Sequence, residues 1–84
     1  MPPEPEPHII QSARKHGISD EDILHAYRTQ FDWFYLKNEV TIITGYSTGM
    51  EVLEIGFVPG NNSTPDRVID LIIHAMKARP RFLR

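Results

Sequence analysis

The chain has no cysteine, so neither a disulfide framework nor a thiolate metal site is available to it. No apolar run approaches the ~18 residues that a membrane-spanning helix needs, and the N-terminal residues do not read as a secretory leader. Excess positive charge is also missing. Nine Lys and Arg against eleven Asp and Glu leave a net −2, which excludes a uniformly basic coat for nucleic acid. What is present, 40% hydrophobic and 24% charged residues in a chain of 84, suits one small soluble domain, expected in the cytoplasm. A chain this short buries only about 60–65% of its unfolded surface. Marginal stability and reliance on a partner, a second copy or another protein, are therefore expected.

The small net charge hides a polarity. Residues 17–66 carry eight acids and two bases, whereas residues 67–84 carry Arg67, Lys77, Arg79, Arg81 and Arg84 against Asp70 alone. Such asymmetry suggests that the C-terminal end handles an anion such as phosphate, against the plainer use of a solvated basic tail.

Residues 1–7, with four prolines and two glutamates, read as an extended, disordered leader, and residues 8–84 as a single domain. His8 to Lys15 reads as a short helix ended by Gly17. Ser19 is an N-cap candidate, followed by Asp20, Glu21 and Asp22 in the positively polarised first turn. Asp22 stands where a capping-box acid reaches back to the cap, and Ile18 and Ile23 have the spacing of a hydrophobic staple. A second helix from Asp20 to about Arg28 follows. From Phe31 the pattern turns to β: an aromatic strand, a turn at Asn38-Glu39, a β-branched strand Val40–Thr44 and a strand Met50–Val58. In the last of these, Leu53, Ile55 and Phe57 share one face and Val52, Glu54 and Val58 the other. Pro59 to Ser63 is a loop. Thr64-Pro65-Asp66 looks like a helix start, yet the isoleucines of Ile69–Ile73 suit a buried strand equally well, and periodicity alone leaves both open.

Two further stretches join the first one in a family resemblance. Lys15-His16-Gly17-Ile18-Ser19, with Asp20-Glu21-Asp22-Ile23 behind it, resembles the N-terminal KHG-[VI]-S-x-E-[ED] region of BrnT-like toxins from bacterial type II toxin–antitoxin modules. Leu53-Glu54-Ile55-Gly56 and Ile72 to Pro80 resemble the family's closing strand and basic helix start. The resemblance implies an α+β fold related to the RelE/ParE group. Two short N-terminal helices would pack on an antiparallel sheet of about four strands, and a short basic helix or tail would close the chain. It favours a strand from about Ile69 to Ala75. It also implies metal-free RNA cleavage, no cofactor, and restraint by a cognate antitoxin, expected to be of the ribbon-helix-helix type.

Metal-free cleavage needs a base for the 2′-hydroxyl, a cation for the charge developing at phosphorus and an acid for the leaving oxygen. His74 can be base or acid; the alternative is a structural strand histidine. With straight alternation, Asp70, Ile72, His74 and Met76 share one face of the last strand. Arg79 and Lys77, just past it, are candidates to hold phosphate, and Arg brings a matching planar fork. Glu54 orients His74 or an arginine, or is simply an exposed strand acid, the commoner use. The candidate catalytic set is thus His74, Arg79 and Glu54, and the candidate RNA-binding set Lys77, Arg79, Arg81, Lys15 and His16. His16 has the plainer reading of a helix C-terminus. The four histidines lack metal-ligand spacing, so no metal is expected. Tyr46, Trp33, Phe34 and Tyr35 can stack bases, although core is the expectation for Trp33. The competing function is a non-enzymatic module that binds an antitoxin or its own copy. A helix-turn-helix DNA binder is set aside, because Asp20, Glu21 and Asp22 would repel phosphates. If Ser19 caps the helix, Ser19→Ala lowers stability by about 1 kcal/mol; an unchanged thermal melt would contradict that helix start.

Overall fold

A computed structural model of the chain describes residues 6–60 and 68–83. Most of the expected leader, the loop residues 61–63, the helix start at Thr64-Pro65-Asp66, and Arg67 and Arg84 of the basic end lie outside the described residues.

Among the described residues, five strands form one mixed sheet: β1 (His8–Ile9), β2 (Asp32–Tyr35), β3 (Thr41–Tyr46), β4 (Val52–Pro59) and β5 (Asp70–Lys77), in spatial order β1-β5-β4-β3-β2. The β2 to β5 neighbours pair antiparallel, and β1 lies parallel to β5. The one α-helix among the described residues, α1 (Asp20–Arg28), packs on one face. This corrects the expected two N-terminal helices on a four-stranded antiparallel sheet. The first expected helix is instead β1 followed by a 3-10 turn at Gln11–Arg14. The free edge of β5 supplies backbone partners that a helix would not: Ile9 pairs with Ile72, the Ile10 N–H bonds the Ile72 carbonyl at 3.1 Å, and Ala13 is fully buried in the core. The C-terminal helix is a single 3-10 turn, Pro80–Phe82.

The second helix starts where the local signals put it. Ser19 Oγ accepts from the Asp22 N–H at 3.2 Å, and Ile18 packs against the core that buries Ile23. Asp22 does not close a capping box, because its short carboxylate turns away to take the Thr48 N–H (2.9 Å) and Oγ (2.6 Å) from the β3–β4 connection. Those bonds from Thr48, side chain first, hold the Asp22 carboxyl below the usual range. At the other end of α1, His25 Nδ1 lies 2.6 Å from the Tyr46 carbonyl, which can only accept, so the ring donates there.

The core lies between α1 and the sheet: Ile23 and Ala26 of the helix meet Ile43, Leu53, Ile55, Ile72 and Ala75. Alternation along β5 is broken, which the sequence did not announce. Gly56 pairs with His74 but Phe57 pairs with Ile72, so Ile73 is an extra residue, and Ser12 Oγ donates to its carbonyl at 2.9 Å. The irregularity moves Ile72 off the face of His74, where straight alternation had put it, into the core. His74 and Met76 then share the face away from the helix with Glu54. Trp33 is also not a core residue. It is 47% exposed near the sheet edge, while Phe34 turns to the other face and stacks edge-on against Phe82 at 5.1 Å.

α1 approaches the sheet most closely over β3. A Cβ on Gly45 would stand 1.9 Å from the Ala26 carbonyl oxygen, a backbone atom that cannot yield without moving the helix. Gly45→Ala is expected to cost about 3 kcal/mol or to abolish folding. A urea midpoint within error of the parent would refute this packing.

Candidate functional site

On the sheet face away from α1, the C-terminal residues fold back across the strands. Phe82 is the anchor: its ring is buried against Phe34, and the guanidinium carbons of Arg79 and Arg81 lie 5.7 and 4.7 Å from its centroid. The Ala78 N–H bonds the Val52 carbonyl at 3.0 Å, which turns Arg79 inward.

Arg79 meets Glu54, which is 0% exposed and therefore not the exposed strand acid that was the commoner expectation. A buried carboxylate is costly unless its oxygens are fully engaged, and here they are. Oε1 accepts the Arg79 backbone N–H at 2.9 Å and its Nε–H at 3.0 Å, while Oε2 accepts Arg79 Nη2 at 2.8 Å and faces His74 Nε2 at 2.8 Å. Burial pushes the Glu54 carboxyl up. The hydrogen bonds from the Arg79 side chain and backbone, that from His74 and the Arg79 charge outweigh it, leaving the group below the usual carboxylate range. The same bonds push the Arg79 guanidinium further up, so it stays charged. An ionised carboxylate only accepts, so His74 Nε2 carries the hydrogen, and in the neutral ring Nδ1 is left as a free base. The Arg79 fork has its Nε edge on Glu54, which leaves Nη1 for an oxyanion. His74 and Arg79 are partly exposed, at 24% and 43% of their side chains.

The catalytic candidates are thus brought together, His74 and Arg79 each bonded to Glu54. Of the RNA-binding candidates, His16 also reaches the cluster, its ring edge-on to that of His74 with centroids 5.8 Å apart. Arg81 adjoins it through Phe82, and Lys15 is the exposed sequence neighbour of His16. Lys77 does not join. It pairs in register with Leu53, on the helix side of the sheet, and its ammonium lies 3.4 Å from Glu51. Among the possible base-stacking aromatics, Tyr46 packs on Phe31 and Phe34 on Phe82, while Tyr35 is 82% exposed.

Two residues of this face went unsingled in the sequence. Phe82 carried one signal, being an aromatic set between cations. Thr44 carried none: it stands opposite Glu54 in the register, fully buried, and among the described residues its Oγ1 has no hydrogen-bond partner. Among the described residues no three His, Asp or Glu side chains are grouped to hold a metal ion, and no helix is long and apolar enough to cross a membrane. No protein-family model, curated protein or solved structure matches the chain.

Because the folded-state Glu54 value is depressed, its contribution to stability is present above the unfolded value near 4.3 and is lost as pH falls through the folded value. Glu54→Gln is expected to lower stability at pH 7 by about 1–3 kcal/mol. The gap to the parent should close on acidification below the ordinary glutamate range. A gap independent of pH in urea melts would show that the carboxylate charge does not hold this site.

Proposed function

We propose that this chain is a BrnT-like toxin of a type II toxin–antitoxin module, acting in the cytoplasm as a metal-free endoribonuclease. The observation that carries this reading is a cluster of side chains around His74 and Glu54. The three stretches behind the resemblance are remote in sequence, and each sends a side chain to one cluster: His16 from the first, Glu54 from the second, His74 and Arg79 from the third.

The chemistry is consistent with that cluster. His74 Nδ1 takes the 2′-hydroxyl proton, and the 2′-oxygen attacks phosphorus. The outer edge of Arg79 stabilises the charge growing on the phosphoryl oxygens. Glu54 touches no substrate. It is a positioning residue that fixes the tautomer of His74 and the direction of the Arg79 fork. The partner in this reading is a cognate antitoxin, expected to be of the ribbon-helix-helix type.

A second reading, a non-enzymatic module that binds an antitoxin or its own copy, draws on a different observation. Phe31, Trp33, Tyr35 and Leu36, in and beside β2, are all exposed by more than two-fifths.

Incubation of the purified chain with RNA in the presence of a chelator separates the two. Cleavage is expected, leaving 2′,3′-cyclic phosphate ends, with His74→Ala and Arg79→Ala each slowing it by about 100-fold or more. RNA left intact by the parent protein would remove the enzyme and leave the binding module.

A further inference from the structure

Displacement at phosphorus is in-line, so the attacking and departing oxygens stand on opposite sides of the phosphate. One imidazole cannot serve both at once, and a base at the 2′-oxygen calls for a separate acid at the 5′-oxygen. His74 is tied through Nε2 to Glu54 and offers one nitrogen. Another group of suitable chemistry beside it is His16, whose ring meets that of His74 edge-on at 5.8 Å and 83°.

The turn that carries His16 is held by a clamp that its own sequence stretch supplies. Arg14 and Asp20, on either side of it in sequence, form a bidentate ion pair, Nε to Oδ1 and Nη2 to Oδ2, both at 2.9 Å. Gly17 turns the chain with φ +78°, its N–H bonded to the Arg14 carbonyl at 3.0 Å. Ser12, on the same segment, is bonded to β5 one residue before His74. His16 is exposed, and among the described residues nothing hydrogen-bonds to its ring. A packing histidine would be buried or bonded. This one stands exposed on a turn that is held.

We propose that His16 is the proton donor to the leaving 5′-oxygen, paired with His74 as the base. The proposal rests on the ribonuclease reading above. In the step, the bond from the 2′-oxygen to phosphorus forms and that from phosphorus to the 5′-oxygen breaks. The 2′-hydroxyl proton passes to His74 Nδ1, and a proton from the His16 imidazolium passes to the departing oxygen. The products are a 2′,3′-cyclic phosphate and a 5′-hydroxyl, and the two rings return to their starting states by exchange with water.

Two substrates test this. Uridylyl-(3′→5′)-adenosine expels an alkoxide that needs a proton, whereas uridine 3′-(4-nitrophenyl phosphate) expels a phenolate that does not. The loss caused by His16→Ala on the first should exceed its loss on the second by about 100-fold or more, while His74→Ala should slow both alike. Equal losses on the two substrates from His16→Ala would make His16 a binding or positioning group, and no loss on either would remove it from the reaction; both overturn the proposal. A parent protein inactive on both substrates overturns the ribonuclease reading itself. His16 is exposed, so the variant should melt in urea as the parent does, which separates a chemical loss from a folding one.

Discussion

A carboxylate shut away from water must have every lone pair answered, and the C-terminal half of this protein is organised around that demand at Glu54. The residue sits mid-strand on a face that the helix does not cover. Its burial comes from residues past the end of β5: Phe82 closes over Phe34, and Arg79 is drawn back onto β4. Without those late residues Glu54 would lack the Arg79 bonds, and Arg79 and His74 would be two side chains with no fixed relation. With them, one acid sets both the ring of His74 and the plane of Arg79.

The core and the candidate site depend on each other through the irregularity in β5. On a straight strand Ile72 and His74 would share a face. The extra residue at Ile73 lets both needs be met two positions apart, Ile72 filling the core under α1 while His74 faces Glu54. The bonds from Ser12 to Ile73 and between the His8–Ile9 pair and β5 keep the N-terminal segment along that same stretch. The turn carrying His16 then lies beside the site at the edge of the sheet.

How much of this could be read in the sequence follows from the range of the forces involved. The helix Asp20–Arg28 was legible because its signals are local: a cap at Ser19, acids in the first turn, a flanking staple. β4 was legible with its faces because alternation is also local. The two-residue β1 was not, since only pairing with a strand sixty residues later distinguishes it from a helical turn. The exposure assigned to Glu54 missed for the same reason, its partners being 20 and 25 positions away. Lys77 and Arg79, equivalent as tail cations, end on different sides of the sheet because strand register, not charge, decides where each side chain points. Trp33 was expected inside as an aromatic, but it stands on the edge strand β2 and is nearly half exposed.

The dependence on one ionised, fully bonded acid can be observed directly by following the side-chain carboxyl carbon of Glu54 by NMR in glutamate-labelled protein through an acid titration. It should remain ionised at pH values where an ordinary glutamate, near 4.3, is already half protonated, and the ring signals of His74 should shift as it finally takes up its proton. A Glu54 signal that titrates at or above the ordinary value, with His74 unresponsive, would mean that the acid holds neither partner.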